Sequence, residues 1–574
     1  TLILLMLGVF ILLFSIRAIE KYLFGLVVAI NFLAIYSTAV RGTVLAIVAS
    51  FLIFAVLIYR SKATKKIKYG LAAIALGLVL FQVILIAANN THFVQSHATL
   101  RRLSDVSPNT KTVKTRLWAW KAGVDGWDDG AKTIVFGWGP ENYNVPFSIH
   151  FNPKFFEGSG SETLFDRGHN MFIEILVTMG VIGVASYALI FGVLIYGLWR
   201  LYKRVGSFQE QALVSVLISG VVAYIIHNLF IFDTSANFIG FFILAGFIYY
   251  LVQAGDQKPI EARANPKPLV SKTLAYTIIL LAAILTVISI KMFTIDPVRA
   301  NYATTRAIIR GLRNDNIGAV TKFQKALSYD TFGSYEYRHR YVQFLLERAR
   351  PISDAGGDLA TLLRQAVDEV KKNLENKDDY LPYLYLSRLY LYLGSNSPDS
   401  PFNNMALDSV NKALEISPTF VRSYYELAQV YINKKQYDQA IATFKKAVEL
   451  NPDVGLTWWY LGITQLEFGD VKEGAQEIGN AKLHGYDYDQ NERDLVRLAR
   501  ILGGLNDPKI LVNIYEQLIK LNPNNPRYFS SIAAGYAELG RIDEAAAAAK
   551  RAAQLDPSFE KEARDFVQKL GRTW

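Results

Sequence analysis

The 574 residues contain no cysteine, which excludes a disulfide scaffold, a thiolate zinc site and a thiol nucleophile. Histidine is scarce, with seven in the whole chain. Charged residues make up only 19% against 51% hydrophobic. That balance is too apolar for one ordinary soluble enzyme and excludes a disordered chain. Thr1–Ile16 is apolar from its first residue, with no basic lead and no small-residue cleavage site. No signal peptide is read there, and the chain is expected to lack part of its N-terminus.

The charge that is present is unevenly placed. Residues 1–295 hold 25 Lys and Arg against 14 Asp and Glu, whereas residues 296–574 hold 36 of each. The whole excess of +11 therefore sits in the apolar half, where loops at a membrane surface explain it better than a nucleic-acid patch. No nucleic-acid partner is expected.

Apolar runs at 1–16, 22–40, 43–59, 69–88, 170–199, 211–232, 236–252 and 273–290 predict eight spanning helices, because lipid offers no partner to an unpaired backbone group. Four loops carry the basic residues: Arg17 and Lys21, Arg60–Lys68, Arg200–Glu210 with Arg200, Lys203 and Arg204, and the 253–272 stretch with Lys258, Arg263, Lys267 and Lys272. Alternating spans put all four on one side, which the positive-inside rule makes cytoplasmic. Arg41, the 89–168 loop, the turn at Asp233 and everything beyond Lys291 then face outward. The expected location is a bacterial inner membrane, crossed several times.

The second half repeats. Ala413-Leu-Glu-Ile-Ser-Pro418 returns as Ala447-Val-Glu-Leu-Asn-Pro452, and Leu518-Ile-Lys-Leu-Asn-Pro523 as Ala552-Ala-Gln-Leu-Asp-Pro557, each pair 34 residues apart. That period, with Tyr424, Leu427, Ala428, Tyr431, Ala440 and Phe444, is the tetratricopeptide pattern. Units near Trp458–Ala481 and Phe529–Pro557 match it well, Ala319–Phe323–Ala326 is a weaker first copy, and 351–405 is irregular. The predicted fold is all-α: a transmembrane bundle over 1–295 with a structured extracytoplasmic loop at 89–168, then a solenoid over 296–574. The solenoid's concave groove would take a protein or peptide partner, or the array would only space or dimerise the membrane part.

The 89–168 loop is too long for a mere connector and too aromatic for disorder, with Trp118, Trp120, Trp127, Trp138 and Tyr143 among its rings. Thr115–Trp127 reads as a helix and Gly137-Trp-Gly-Pro140 as a turn.

Four motifs in order, Arg41-Gly42 between two spans, Arg116-Leu-Trp-Ala-Trp120, Phe136-Gly-Trp-Gly-Pro-Glu-Asn-Tyr143 and His169-Asn170-Met-Phe172 at a helix entry, make the chain resemble the O-antigen ligase/polymerase superfamily. The resemblance spans roughly residues 20–250 and leaves the solenoid outside. It implies a membrane glycosyltransferase that takes a glycan from a polyprenyl-pyrophosphate carrier, for example undecaprenyl pyrophosphate, and passes it to a lipid or protein acceptor. Lipopolysaccharide ligases, O-antigen polymerases and protein O-oligosaccharyltransferases belong there.

The residue chemistry agrees. A pyrophosphate at a membrane needs fixed cations, and arginine's planar fork matches phosphate oxygens. Arg41 and Arg116 are the candidates for that role, Arg167 a third, with interfacial snorkelling, a surface charge and pairing with Asp166 as their plainer readings. His169, where the resemblance implies the essential loop histidine, is a candidate base for the acceptor hydroxyl, against a capping or packing role. Asn170, His227, Trp120 and Trp138 are further substrate-binding candidates. No metal or other cofactor is expected, Glu162, Asp166 and His169 matching no known ligand spacing. A repeat-unit polymerase is the alternative within the class, and a non-enzymatic membrane-anchored repeat scaffold for envelope assembly is the alternative outside it.

Overall fold

The computed structural model describes residues 8, 18–38, 40–105, 110–158, 161, 163–256, 271–395, 397–505 and 507–574, and among them every regular element is helical. The chain divides into two compact units, one made of residues 1–152 and 164–280 and the other of residues 153–163 and 281–574. The second unit thus takes a short piece of the long loop as well as the repeats.

In the first unit the long helices are α1 (Ala18–Thr38), α2 (Arg41–Arg60), α3 (Lys65–Ala87), α4 (Lys111–Trp127), α5 (Met171–Arg204), α6 (Phe208–Asn228) and α7 (Ser235–Asp256); α8 (Lys272–Ile290) begins in the first unit and ends in the second. Six helices among the described residues are long and apolar enough to cross a membrane: α2, α3, α5, α6, α7 and the run that begins with α8. The run read at 22–40 is α1, and the run at 1–16 apart from Gly8, like Arg17, Lys258, Arg263 and Lys267, lies outside the described residues. The last span extends past the expected 290: a π-helical turn, Lys291–Ile295, continues it into Asp296–Leu312.

Helix α6 is the central element, with 67% of its apolar window buried against 11% for α5. Its start is fixed by a reciprocal cap in which Ser207 and Glu210 bond each other's backbone amides. Leu217, Val221 and Tyr224 pack with Leu198, Phe241 and Ile248 to form the core. At one end of the unit, Lys62 donates to the side chain of Gln211 and to the carbonyl of Gly206, and Tyr202 to that of Leu57. The Arg60–Lys68 and Arg200–Glu210 loops therefore meet at the same end.

The other end carries the loop, and a break in α5 receives it. Asn170 caps α5 by accepting from the amides of Phe172 and Ile173. Ten residues in, Gly180 has φ 66°, which stops the helical ladder and frees carbonyls. The loop turn fills the gap: Trp138 N donates to Val177 O at 3.0 Å and Gly139 N to Thr178 O at 2.8 Å.

The second unit is a series of antiparallel helix pairs. Val421–Asn433 (α9) and Tyr437–Leu450 (α10) precede Gly455–Phe468 (α11), and Ala428, Ala440 and Ala447 are fully buried where these helices approach. Small residues at those points let the backbones close on one another around Phe444. The first copy read from Ala319, Phe323 and Ala326 is the helix Asn316–Leu327, with all three side chains buried. The irregular 351–405 stretch is helical as well, with helices Leu359–Asn376 and Tyr380–Gly394.

Candidate functional site

The hub of the site is the short connector between α6 and α7, residues 229–234. Arg41 opens α2 beside it. Gly42 has no side chain, so Phe230 packs directly on its backbone; a Cβ there would lie 2.6 Å from the Phe230 Cβ. Thr43 Oγ1 and His227 Nδ1 share a hydrogen bond at 3.3 Å, which holds α2 to the end of α6. Arg41 reaches back to the loop, donating from Nε to Arg102 O at 2.8 Å and pairing with Asp105 at 3.2 Å.

Arg116 comes from α4 and donates to the carbonyl of Phe230 at 3.1 Å. Burial, reinforced by the positive charges of Arg102 and then Arg41, pulls its pKa below the usual arginine value. Arg102 and Arg41 thus crowd Arg116 with like charge. Such a cluster is held at an electrostatic cost that an anion relieves.

His169 packs on the same connector through Phe232. Its ring meets Phe232 edge-on at 5.2 Å between centroids and Phe165 at 5.7 Å. Its backbone has φ 49°, uncommon for a side-chain-bearing residue and recurrent at functional sites. The preceding residue is held through both of its backbone groups: Gly168 N–H donates to the buried Glu174 carboxylate, and Trp120 Nε1–H donates to Gly168 O. Tyr143 backs Gly168, with its hydroxyl bonded to Ala119 O at 2.8 Å.

The imidazole tautomer follows from a contact. His169 Nδ1 lies 3.2 Å from Arg167 O, and a carbonyl only accepts, so Nδ1 carries the hydrogen. In the neutral ring that leaves the Nε2 lone pair as the acceptor. Arg167 itself is ion-paired to Glu141, approaches Glu174 at 3.6 Å and sits over the Phe232 ring at 5.6 Å.

A buried polar knot fixes the connector's far end. Asn228 donates to Asp233 at 2.9 Å and to the Tyr187 hydroxyl at 3.0 Å. Burial pushes the Asp233 carboxyl above its usual pKa, with the hydrogen bond from Asn228 opposing.

The connector thus brings together Arg41, Arg116, Arg167, His169 and His227. Asn170 sits beside His169 with its side-chain oxygen engaged in the α5 cap. Trp120 and Trp138 both donate their indole N–H to backbone carbonyls, Trp138 to Gly126 O at 2.8 Å. Arg102, Glu174, Phe230 and Phe232 were not anticipated. The Arg101-Arg102 pair is a visible cue for the first; nothing in the sequence marks the others. Among the described residues no three His, Asp or Glu side chains gather as a metal site, and Glu162 lies outside them.

The O-antigen ligase family model matches residues 25–188, and two tetratricopeptide repeat models match residues 421–454 and 496–558. The Hsp70-Hsp90 organizing protein of Triticum aestivum is 24% identical over 209 residues, 34% of this chain and 33% of that protein. The Hsp70-Hsp90 organizing protein 3 of Arabidopsis thaliana is 26% identical over 212 residues, 34% of each. The chain spans about a third of the length of these curated relatives. Among solved structures, a tetratricopeptide repeat protein from Parabacteroides merdae is 12% identical with a TM-score of 0.32, covering 48% of this chain and 99% of that one. The chain carries an O-antigen ligase family domain, which holds Arg41, Arg116 and His169, and a tetratricopeptide array beyond it.

Proposed function

We propose that the chain is a membrane glycosyltransferase that moves a glycan from a polyprenyl-pyrophosphate carrier to an acceptor hydroxyl. The site faces outward from a bacterial cytoplasmic membrane, the orientation that the basic loops favour. The observation that carries the reading is that Arg116, crowded by the positive charges of Arg102 and Arg41, donates to the same connector that meets His169.

In the reaction His169 Nε2 takes the proton of the acceptor hydroxyl. The freed oxygen attacks the anomeric carbon of the donor's first sugar. A new carbon–oxygen bond forms as the bond from that carbon to the pyrophosphate oxygen breaks. The leaving group keeps the electron pair, and Arg41 and Arg116 stabilise the charge that grows on it. Direct displacement inverts the anomeric centre. Arg167 keeps the His169 turn in place, and the loop aromatics meet the sugar faces. Lipid and protein acceptors and a growing polysaccharide all fit this chemistry. The repeats favour a protein partner, since such solenoids present extended binding surfaces.

The test is glycan transfer by the full chain in lipid nanodiscs, supplied with a polyprenyl-pyrophosphate oligosaccharide and candidate acceptors, with products read by mass spectrometry. His169→Ala is expected to slow transfer by about 10²–10⁴-fold, the usual worth of a general base. Transfer near the wild-type rate in that variant removes His169 as the base.

A further inference from the structure

Residues 153–163 belong by sequence to the long loop and by packing to the repeat unit. Pro153–Phe155 form a single 3₁₀ turn, closed by Phe156 N donating to Pro153 O at 3.0 Å. Phe156 is 5% exposed. Its ring lies among Val421, Tyr424, Ala447, Leu450 and Val454, at the start of α9, the end of α10 and the entry to α11. Tyr425 meets it edge-on at 5.6 Å.

The backbone of the segment is read as well. Asn451, buried just after α10, donates from Nδ2 to Pro153 O at 3.0 Å and to Phe156 O at 2.8 Å. Its Oδ1 meanwhile accepts from Asp453 N at 3.4 Å. Asn522 holds the same place before the proline of a later repeat and sends its amide to Glu492 instead. The use of this asparagine as a reader of foreign carbonyls is therefore a property of one repeat junction, not of the repeat.

We infer that the junction around Asn451 is a peptide-recognition site whose ligand is the chain's own Pro153–Phe156 segment, and that this grip holds the loop in the form needed for transfer. A carboxamide donor that satisfies two carbonyls, beside an apolar socket filled by one aromatic ring, is how a folded surface selects a short segment of one shape. A tethered ligand needs only a modest intrinsic affinity, because the chain supplies a high effective concentration. Thr163 lies six residues before His169, so an anchored segment shortens the span that must be ordered around the base. The activity part of this inference rests on the proposed function; the docking part does not.

Hydrogen–deuterium exchange on the full chain in nanodiscs separates the two. Asn451→Asp keeps the oxygen that caps Asp453 and loses the paired donor; Phe156→Ala empties the socket. Both are expected to speed exchange across 153–163 by about tenfold while the α9–α11 helices keep their protection, and to slow glycan transfer by about tenfold. Asn522→Ala is expected to leave 153–163 and transfer as in the wild type. Unchanged exchange across 153–163 in both variants overturns the recognition site. Faster exchange with wild-type transfer overturns its role in holding the loop. A wild-type chain that moves no glycan overturns the proposed function, while the exchange measurements still decide the docking.

Discussion

At the scale of single residues, Arg116 is the most exposed to test. Its guanidinium is already half-buried and already repelled by Arg102 and Arg41, so part of its binding cost is met before any ligand arrives. Arg116→Ala should lower kcat/KM for the lipid-linked donor by about 10–100-fold, the worth of a charge-assisted hydrogen bond in a sheltered site. Arg116→Lys should recover only part of this, because an ammonium cannot serve both the Phe230 carbonyl and a phosphate with a flat fork. Steady-state kinetics at fixed acceptor reads both, and equal kcat/KM in all three proteins removes Arg116 from the donor site. Arg41, Arg116 and His169 were readable in the sequence as candidates because the chemistry proposed for them lies in their side chains. Glu174 was not, because it acts through the Gly168 amide, and no residue type announces which backbone group it will meet. The same holds for Phe230, whose contribution to Arg116 is a carbonyl.

At the scale of elements, the break at Gly180 and the turn at Gly137 form one device. A Cβ at Gly180 would lie 2.3 Å from Val135 O, and one at Gly137 would lie 2.3 Å from the Thr178 carbonyl carbon. Each glycine also has positive φ, at 66° and 71°. Gly180→Ala is therefore expected to cost about 1–3 kcal/mol from the backbone conformation alone. Loss of the Trp138 and Gly139 hydrogen bonds to α5 would add to that. A lower thermal midpoint for the full chain, with faster exchange at Trp138 and Gly139, is the expected result; an unchanged midpoint would show that the turn does not depend on the break. The sequence showed the turn as a turn and the span as a span. It did not show that one is built to receive the other, because glycine is common in membrane helices and its periodic apolar neighbours continue across the break.

At the scale of the whole chain, the 34-residue period made the repeats readable, whereas the assignment of 153–163 to the repeat unit has no period to reveal it. The two halves also differ in charge, and the balanced half holds a buried carboxylate out of keeping with its surroundings. Glu477, on the helix Val471–Leu483, is 9% exposed, and its Oε2 has no hydrogen-bond partner among the described residues. Burial first, with Glu473 adding to it and Lys445 opposing, pushes its pKa up to about 7. The sign follows from linkage. The folded state binds this proton more tightly than the unfolded chain, so the repeat unit loses stability as pH rises from the ordinary glutamate value through 7, and the penalty is complete above that. Glu477→Gln keeps the size and removes the titration. Thermal midpoints of the repeat unit's transition in the full chain should therefore fall between pH 4.5 and pH 7.5 in the wild type by a few degrees more than in Glu477→Gln. Parallel midpoints in the two proteins across that window would mean that Glu477 stays ionised in the folded unit, which would require a partner for its second oxygen that the buried helix face does not supply.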